Sequence, residues 1–389
     1  MSKNFWINKP VSITQHPQQI QLLFSAKDIK TILLNDIHNN PFGIQYKILN
    51  LKNLDNQKID SILDFINTNY VVSNDDKFKL IYSKELFTFY AHDSLLLEFY
   101  PKNNDKNVIG YIIGKRSDIV LFNQLYTSSE VNFLCIIPKL RNLKISSYMI
   151  NVLSYEILVG YNILISHYTI GTKIKAPPFS IKPMYHRFLN IPTLYTSEFI
   201  KNTNFNELAQ IFNTFQHPFS SYRLQYFNYN PHNNSSINKN LVQSLYKQYI
   251  EYANLIYDLY ENVSFDDFER TFCNNAFHHF IIYNKNNNIV SYVCLFRLDT
   301  CNISSQTTYR SGYYYYMFFK NKNSILHYLE FINEYIYKND IFDMITFTDI
   351  FNIDIPTMKC IKGTGQLSYY FYNLQIPLIN NTKNGLITI

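Results

Sequence analysis

Arg141 and Lys144 bracket a short turn, Arg141-Asn142-Leu143-Lys144, set between a strand pattern and a helix pattern. Upstream, Val131, Phe133 and Cys135 alternate with Asn132, Leu134 and Ile136, the period of two expected of a strand, and Pro138 ends the run. Downstream, Ile145, Tyr148, Met149, Val152, Leu153 and Ile157 recur at helical spacing, so one face of the helix is buried. A helix N-terminus over Asn142 to Ser146 offers amides without internal partners and the positive end of the macrodipole. With two full charges beside it, such an end binds phosphate. The same residues also suit an ordinary buried strand and amphipathic helix joined by two solvated basic side chains. On pattern alone both readings stand.

Other chemistries leave less trace. No Ser-His-Asp or Cys-His arrangement is legible. The five cysteines (Cys135, Cys273, Cys294, Cys301, Cys360) are odd in number and scattered without metal-ligand spacing, which points to reduced thiols, a cytoplasmic setting and no metal. Cys135, on the strand, reads as a small buried residue rather than a nucleophile. The 389 residues suffice for two domains with cores of their own. A net charge of +6 with both signs interspersed is mild for a nucleic-acid binder and suits an anionic ligand such as coenzyme A. The most apolar region, Ile157 to Ile165, is broken by Gly160 and Asn162 and is too short to span a bilayer.

The elements that position the turn can be read in order. A strand is expected over Ile44 to Leu51, a helix over Asp55 to Asn67, and two short strands over Asn107 to Gly114 and Asp118 to Phe122. After the helix that follows the turn comes a strand over Asn162 to Thr169. The polar run Asn230 to Asn240 reads as a linker. Beyond it are a helix over Leu241 to Tyr260, strands over Phe277 to Tyr283, Ile289 to Leu298 and Gly312 to Phe319, a helix over Ile325 to Lys338 and a strand over Asp343 to Asp349. This order repeats that of the first half and suggests an internal duplication. Gly385 to Ile389 reads as an apolar terminal strand that resists fraying.

Several stretches resemble the glycylpeptide N-tetradecanoyltransferase (N-myristoyltransferase) family, whose fold belongs to the GNAT acyl-CoA superfamily. Val131-Asn132-Phe133-Leu134-Cys135 matches its core strand, and Leu140-Arg141 with Lys144-Ile145 matches its pyrophosphate-binding turn. Asn4-Phe5-Trp6-Ile7-Asn8-Lys9-Pro10-Val11 is similar to the family's Phe-Trp-x-x-Gln-Pro-Val segment along coenzyme A, with Lys9 for Gln and no basic leader expected before it. Tyr70 to Tyr82 is similar to an acidic run leading to groove aromatics, with Ser73 and Asn74 where acids are usual. Tyr168-Thr169-Ile170-Gly171 stands for Tyr-Thr-Ala-Gly, and Met184-Tyr185-His186-Arg187-Phe188-Leu189-Asn190 for Tyr-Trp-His-Arg-Ser-Leu-Asn. Gly363-Thr364-Gly365-Gln366-Leu367 stands for Gly-Asp-Gly-Asn-Leu, with Thr364 replacing the Asp.

The resemblance implies an α/β (α+β) fold of two tandem GNAT-like halves related by pseudo-twofold symmetry, with a mixed central sheet flanked by helices. The first half, residues 1–218, would bind acyl-CoA; the second, 219–389, would bind peptide and carry the catalytic C-terminus. It further implies a monomer that transfers a C14 group from myristoyl-CoA to an N-terminal glycine amine of proteins. The alternatives are a GNAT-type acyltransferase of another chain length or acting on lysine, and an inactive relative that only binds lipid or peptide. Implied catalytic groups are the chain-end carboxylate of Ile389 as base, Thr169, and the Phe133 and Leu134 amides as an oxyanion hole. Coenzyme A contacts are implied at Phe5, Trp6, Tyr70, Asn132, Phe133, Leu134, Arg141, Asn142, Leu143, Lys144, Ile145 and Ser146. Peptide contacts are implied at Asp75, Phe78, Leu80, Tyr82, Tyr168, Gly171, His186, Tyr314, Gly363, Thr364 and Leu367. No metal and no nucleic acid enter this scheme.

Overall fold

The computed structural model describes residues 10–12, 17–40, 42–70, 77–104, 106–171, 174–201, 205–231, 238–349 and 357–388. Phe5, Trp6, Ser73, Asn74, Asp75 and Ile389 therefore lie outside the described residues, as does part of the expected linker.

Among the described residues, thirteen strands form one sheet. In chain order these are β1 (Ile44–Leu49), β2 (Ser94–Pro101), β3 (Gly110–Leu121), β4 (Gln124–Ile136), β5 (Ser166–Ile170), β6 (Ser180–Phe188), β7 (Arg223–Asn228), β8 (Leu259–Glu261), β9 (Phe277–Tyr283), β10 (Ile289–Arg297), β11 (Ser311–Phe319), β12 (Met344–Thr348) and β13 (Ile361–Tyr372). The order across the sheet is β1-β2-β3-β4-β5-β13-β6-β12-β11-β10-β9-β7, with β8 paired to β3. Helices α1 (Ala26–His38), α2 (Asn56–Asn69), α3 (Lys84–Ala91), α4 (Ile145–Tyr161), α5 (Lys239–Ile256) and α6 (Ile325–Lys338) flank it.

The two halves follow one plan. β1 to β4 form an antiparallel meander, and α4 then returns the chain to β5, parallel to β4. β7, β9, β10 and β11 form a second antiparallel meander, and α6 returns the chain to β12, parallel to β11. The halves interlock in the middle. β13, late in the chain, lies between β5 and β6, while β6 from the first half pairs with β12 of the second.

Five expectations are corrected. The two strands expected over Asn107–Gly114 and Asp118–Phe122 are the single strand β3. Lys115, Arg116 and Ser117 look like a polar break, yet they continue the ladder opposite Glu130, Ser129 and Ser128. The charge of Lys115 is met by Glu261, 3.7 Å away. Gly114 serves packing rather than a turn: a Cβ there would meet Ile157 Cδ1 of α4 at 2.6 Å. The helix expected to run to Tyr260 stops at Ile256, and Leu259–Glu261 instead pairs with Leu121–Ile119. The strand expected from Asn162 starts at Ser166, because Asn162 caps α4 in a left-handed conformation. The helix N-terminus expected over Asn142–Ser146 is a 3₁₀ turn, Pro138–Leu143, and α4 begins at Ile145. Residues 385–388, expected as a strand, are extended chain outside the sheet. Asn384 makes an isolated bridge to Leu259 and no ladder follows.

β2 gave no signal. Its run Leu95-Leu96-Leu97-Glu98-Phe99-Tyr100 is buried on both faces, so the alternation that marks a half-exposed strand is absent.

Candidate active site

The two strands of the β3–β4 pair fall out of step at the motif. Tyr111 faces Cys135 and Ile113 faces Asn132, so Phe133 and Leu134 together oppose Ile112 alone. This is a β-bulge, which turns peptide groups out of the ladder. Phe133 sits at φ +51°, a left-handed conformation that costs a non-glycine residue about 1–3 kcal/mol. Its buried ring holds it there, packed against Tyr70, Tyr82, Phe87 and Tyr90 with ring centroids 5.3, 5.0, 5.7 and 5.3 Å away. The Phe133 N–H donates to Asn132 Oδ1 at 2.8 Å, and the Tyr70 hydroxyl donates to the same oxygen at 2.8 Å. Tyr70, Tyr82, Asn132 and Phe133 thus come together, while Leu134, across the bulge, packs on the core beneath α4. Burial pushes the Cys135 thiol up to about 12, which keeps it protonated and unreactive.

The turn beyond β4 is tied back to the body. Arg141 Nε donates to the Ile136 carbonyl at 3.2 Å, and its Nη2 donates to the carbonyl of Asn69 at the end of α2. Lys144 takes φ +61° and is the cap residue of α4, yet no side chain caps this helix. Arg141, Asn142, Leu143 and Lys144 are exposed, Ser146 is half-buried and Ile145 is buried. Exposed cations beside an uncapped N-terminus of a 17-residue helix make a place where an anion is stabilised.

Groove residues expected from separate stretches are placed by three elements. The strand Phe78–Ile81 pairs with Asp299–Asn302 in a small ribbon, and Phe78 packs on Phe199 and Tyr309. Leu80 is half-buried in the same ribbon, opposite Thr300. On β6, His186 Nδ1 lies 3.0 Å from Thr346 Oγ1, and burial pulls its imidazolium down to about 4, so the ring is neutral at pH 7. On β13, Gly363, Thr364 and Gly365 bulge out opposite Met184, because Lys362 pairs with Tyr185 and Gln366 with Pro183. A Cβ on Gly363 would come within 2.5 Å of His186 Nε2, so the ring edge occupies the space that a side chain there would need. Gly171 lies beside the Gln366 carbonyl, Leu367 faces Lys182, and Tyr168 stacks on Tyr370 with centroids 5.5 Å apart. Tyr314 is buried in the second-half core with Leu295, Met317 and Phe347.

Thr169 meets the end of the chain. Its Oγ1 is 3.4 Å from Thr388 Oγ1. The extended tail is held by contacts other than a ladder. Gly385 N–H donates to Leu259 O at 2.6 Å, Leu386 N–H to Asn384 Oδ1 at 3.1 Å, and the Tyr369 hydroxyl to Leu386 O at 3.3 Å. Lys182, fully buried on β6, donates to the carbonyls of both Asn384 and Leu386. Sequence reasoning missed Lys182 and Tyr369. The one trace of the former is a lysine within the otherwise uncharged Ser180-Ile181-Lys182-Pro183-Met184 run.

The bulge turns peptide groups out of the ladder, the uncapped helix end with its cations suits an anion, and a neutral histidine exchanges hydrogen bonds rather than protons.

Residues 27–180 match the family model described as myristoyl-CoA:protein N-myristoyltransferase, N-terminal domain. A probable glycylpeptide N-tetradecanoyltransferase of Caenorhabditis elegans is 20% identical over 399 residues, covering 99% of this chain and 85% of the relative. Glycylpeptide N-tetradecanoyltransferase 1 of Arabidopsis thaliana is 21% identical over 342 residues, covering 84% of this chain and 75% of the relative. A crystal structure of Saccharomyces cerevisiae N-myristoyltransferase with bound myristoyl-CoA shares the fold at a TM-score of 0.81 and 16% identity, covering 99% of both chains.

Proposed function

We propose, from the premise that this chain carries an N-myristoyltransferase N-terminal domain over residues 27–180 and shares the N-myristoyltransferase fold along its length, that it transfers a myristoyl group from myristoyl-CoA to the N-terminal glycine of proteins. The observation that carries this reading is the Thr169–Thr388 contact. It brings the tail, at Thr388, onto β5, the strand beside β4.

In this scheme the exposed Arg141 and Lys144 and the first amides of α4 hold the pyrophosphate of coenzyme A. The glycine amine attacks the thioester carbon, the C–S bond breaks, and coenzyme A leaves as thiol or thiolate. Amides of the Phe133–Leu134 bulge stabilise the developing oxyanion, the first of them by exchanging Asn132 Oδ1 for the substrate oxygen. The proton lost by the amine, whose pKa is about 8 in water, passes to the main-chain carboxylate of Ile389 beside Thr169. His186 and the Gly363–Gly365 bulge lie where the peptide would run. The reading divides the chain into an acyl-CoA half, 1–218, and a peptide half, 219–389, acting as a monomer in the cytoplasm.

The test is intact-mass detection of acylation on a Gly-starting peptide offered C12, C14 and C16 acyl-CoAs, with an N-acetylated, lysine-bearing peptide as control. Myristoylation at the α-amine is expected. Exclusive acylation of the lysine, or of a chain other than C14, overturns the assignment. One residue appended after Ile389 moves the carboxylate by up to about 3.8 Å. Turnover should then fall by about 10²–10⁴-fold with acyl-CoA affinity unchanged, and full activity of the extended protein removes the chain end from the mechanism.

A further inference from the structure

The tail that delivers the chain end has no ladder to fix it, yet its main chain is buried. Leu386 is 3% exposed and Asn384 is fully enclosed. A buried carbonyl needs a donor. For Asn384 O and Leu386 O that donor is the same group, Lys182 Nζ, with the Tyr369 hydroxyl adding a second bond to Leu386 O. Its Nζ is 5.1 Å from the centre of the Tyr369 ring, burial pulls the ammonium down to about 7, and the Asp349 carboxylate just past β12 works against that shift. Ser180, two residues earlier on the same face of β6, bonds Asn381 at the start of the tail. One edge of one strand therefore grips the tail at residues 381, 384 and 386.

We propose that Lys182 is a positioning residue for the chain end. It holds the carbonyls of Asn384 and Leu386 so that Thr388 reaches Thr169. The inference rests on the reading of the terminal carboxylate as proton acceptor. A strand would position the tail through many equivalent bonds. Here the Lys182 side chain takes much of that part, with the Tyr369 hydroxyl and the Gly385–Leu259 backbone bond beside it. Lysine suits the task because its amino group is a donor in either charge state, and a buried donor left without acceptors is costly.

The experiment compares the full-length protein with Lys182→Met, which keeps the length of the side chain and removes the donor, and with Lys182→Gln as a second neutral variant. Three quantities are read: amide hydrogen exchange at Gly385 and Leu386, kcat and KM on a Gly-starting peptide, and acyl-CoA affinity by titration. The expected result is exchange at both amides at least about ten-fold faster, kcat down by about 10²-fold, and acyl-CoA affinity unchanged, as displacement of a reacting group by about 1 Å produces. Exchange at wild-type rates in both variants overturns the anchoring role. Faster exchange with wild-type kcat overturns positioning, while the chain end as base stands or falls on the extended protein alone. Acyl-CoA affinity lost in parallel with the fold in both variants overturns the proposal in favour of a purely structural cation.

Discussion

A methyl group added at Gly363 probes the contact between the β13 bulge and His186. The new Cβ would lie 2.5 Å from His186 Nε2, 3.0 Å from Cδ2 and 3.3 Å from the Met184 carbonyl oxygen. Non-bonded atoms settle near 3.5–4.0 Å, so the ring must withdraw by about 1 Å. On its other side Nδ1 is held 3.0 Å from Thr346 Oγ1, a bond that does not survive such a shift, and its edge meets Phe199 with centroids 5.5 Å apart. Gly363 is outside the left-handed region, so the effect is steric contact alone. Loss of the bond costs about 0.5–1.5 kcal/mol, and overpacking of this kind costs about 1–3 kcal/mol in all. Urea unfolding of Gly363→Ala, His186→Ala and the double variant measures it. In the double variant the methyl enters the space the ring leaves, so the two losses should not add, and a coupling of about 1–2 kcal/mol is expected. In turnover, Gly363→Ala should raise the peptide KM while acyl-CoA affinity stays constant. Losses that add to within about 0.5 kcal/mol would refute the reasoning, since independent sites add in that way.

Three further outcomes follow from named residues. Lys144→Gly should stabilise the fold by up to about 1–2 kcal/mol, because glycine relieves the φ of +61°, while weakening acyl-CoA binding; a change of the same sign in both measurements would undo the assignment of this turn. His167, His278 and His279 are each pulled down to about 3 by burial, whereas Glu130 is pushed up to about 8 by burial. With His186, pulled down to about 4, the unfolded chain takes up about four protons between pH 6.5 and 4.5 where the folded chain holds one more than its unfolded carboxylate does. The net difference is about three, and stability should fall with acid by roughly 4 kcal/mol per pH unit from these groups. His167→Phe should reduce that slope by about one proton in urea titrations run across this range. Thr364→Asp restores a carboxylate to the β13 bulge and should improve kcat/KM for a peptide with Lys downstream of its glycine over one with Ala. The gain is a few-fold, since an exposed pair contributes about 0–1 kcal/mol, and an unchanged ratio places Thr364 off the peptide path.

The local patterns settled a good deal before any coordinates. The run from Val131 to Ile136 marks the end of β4, whose start at Gln124 was not legible, and the helical spacing from Ile145 to Ile157 marks α4, because that helix buries one face. Phe277–Tyr283, a continuous apolar run buried on both faces, and Ile325–Lys338 were legible to the residue, and the order of elements announced the repeated plan. What only the tertiary structure decided are relations between segments far apart in sequence. Periodicity cannot show that Phe133 and Leu134 share one partner, since a bulge is a mismatch of register between two strands. It cannot show that Lys115 continues a strand, since Glu261, which pairs with it, lies 146 residues on. Nor can it place β13 between β5 and β6, or the Gly363–Gly365 bulge against His186. The tail is the clearest case. Gly385-Leu386-Ile387-Thr388-Ile389 has the composition of a strand, but no neighbour is left to pair with it beyond the bridge at Asn384. Its carbonyls turn instead to Lys182, because a buried acceptor takes the nearest donor that the fold supplies.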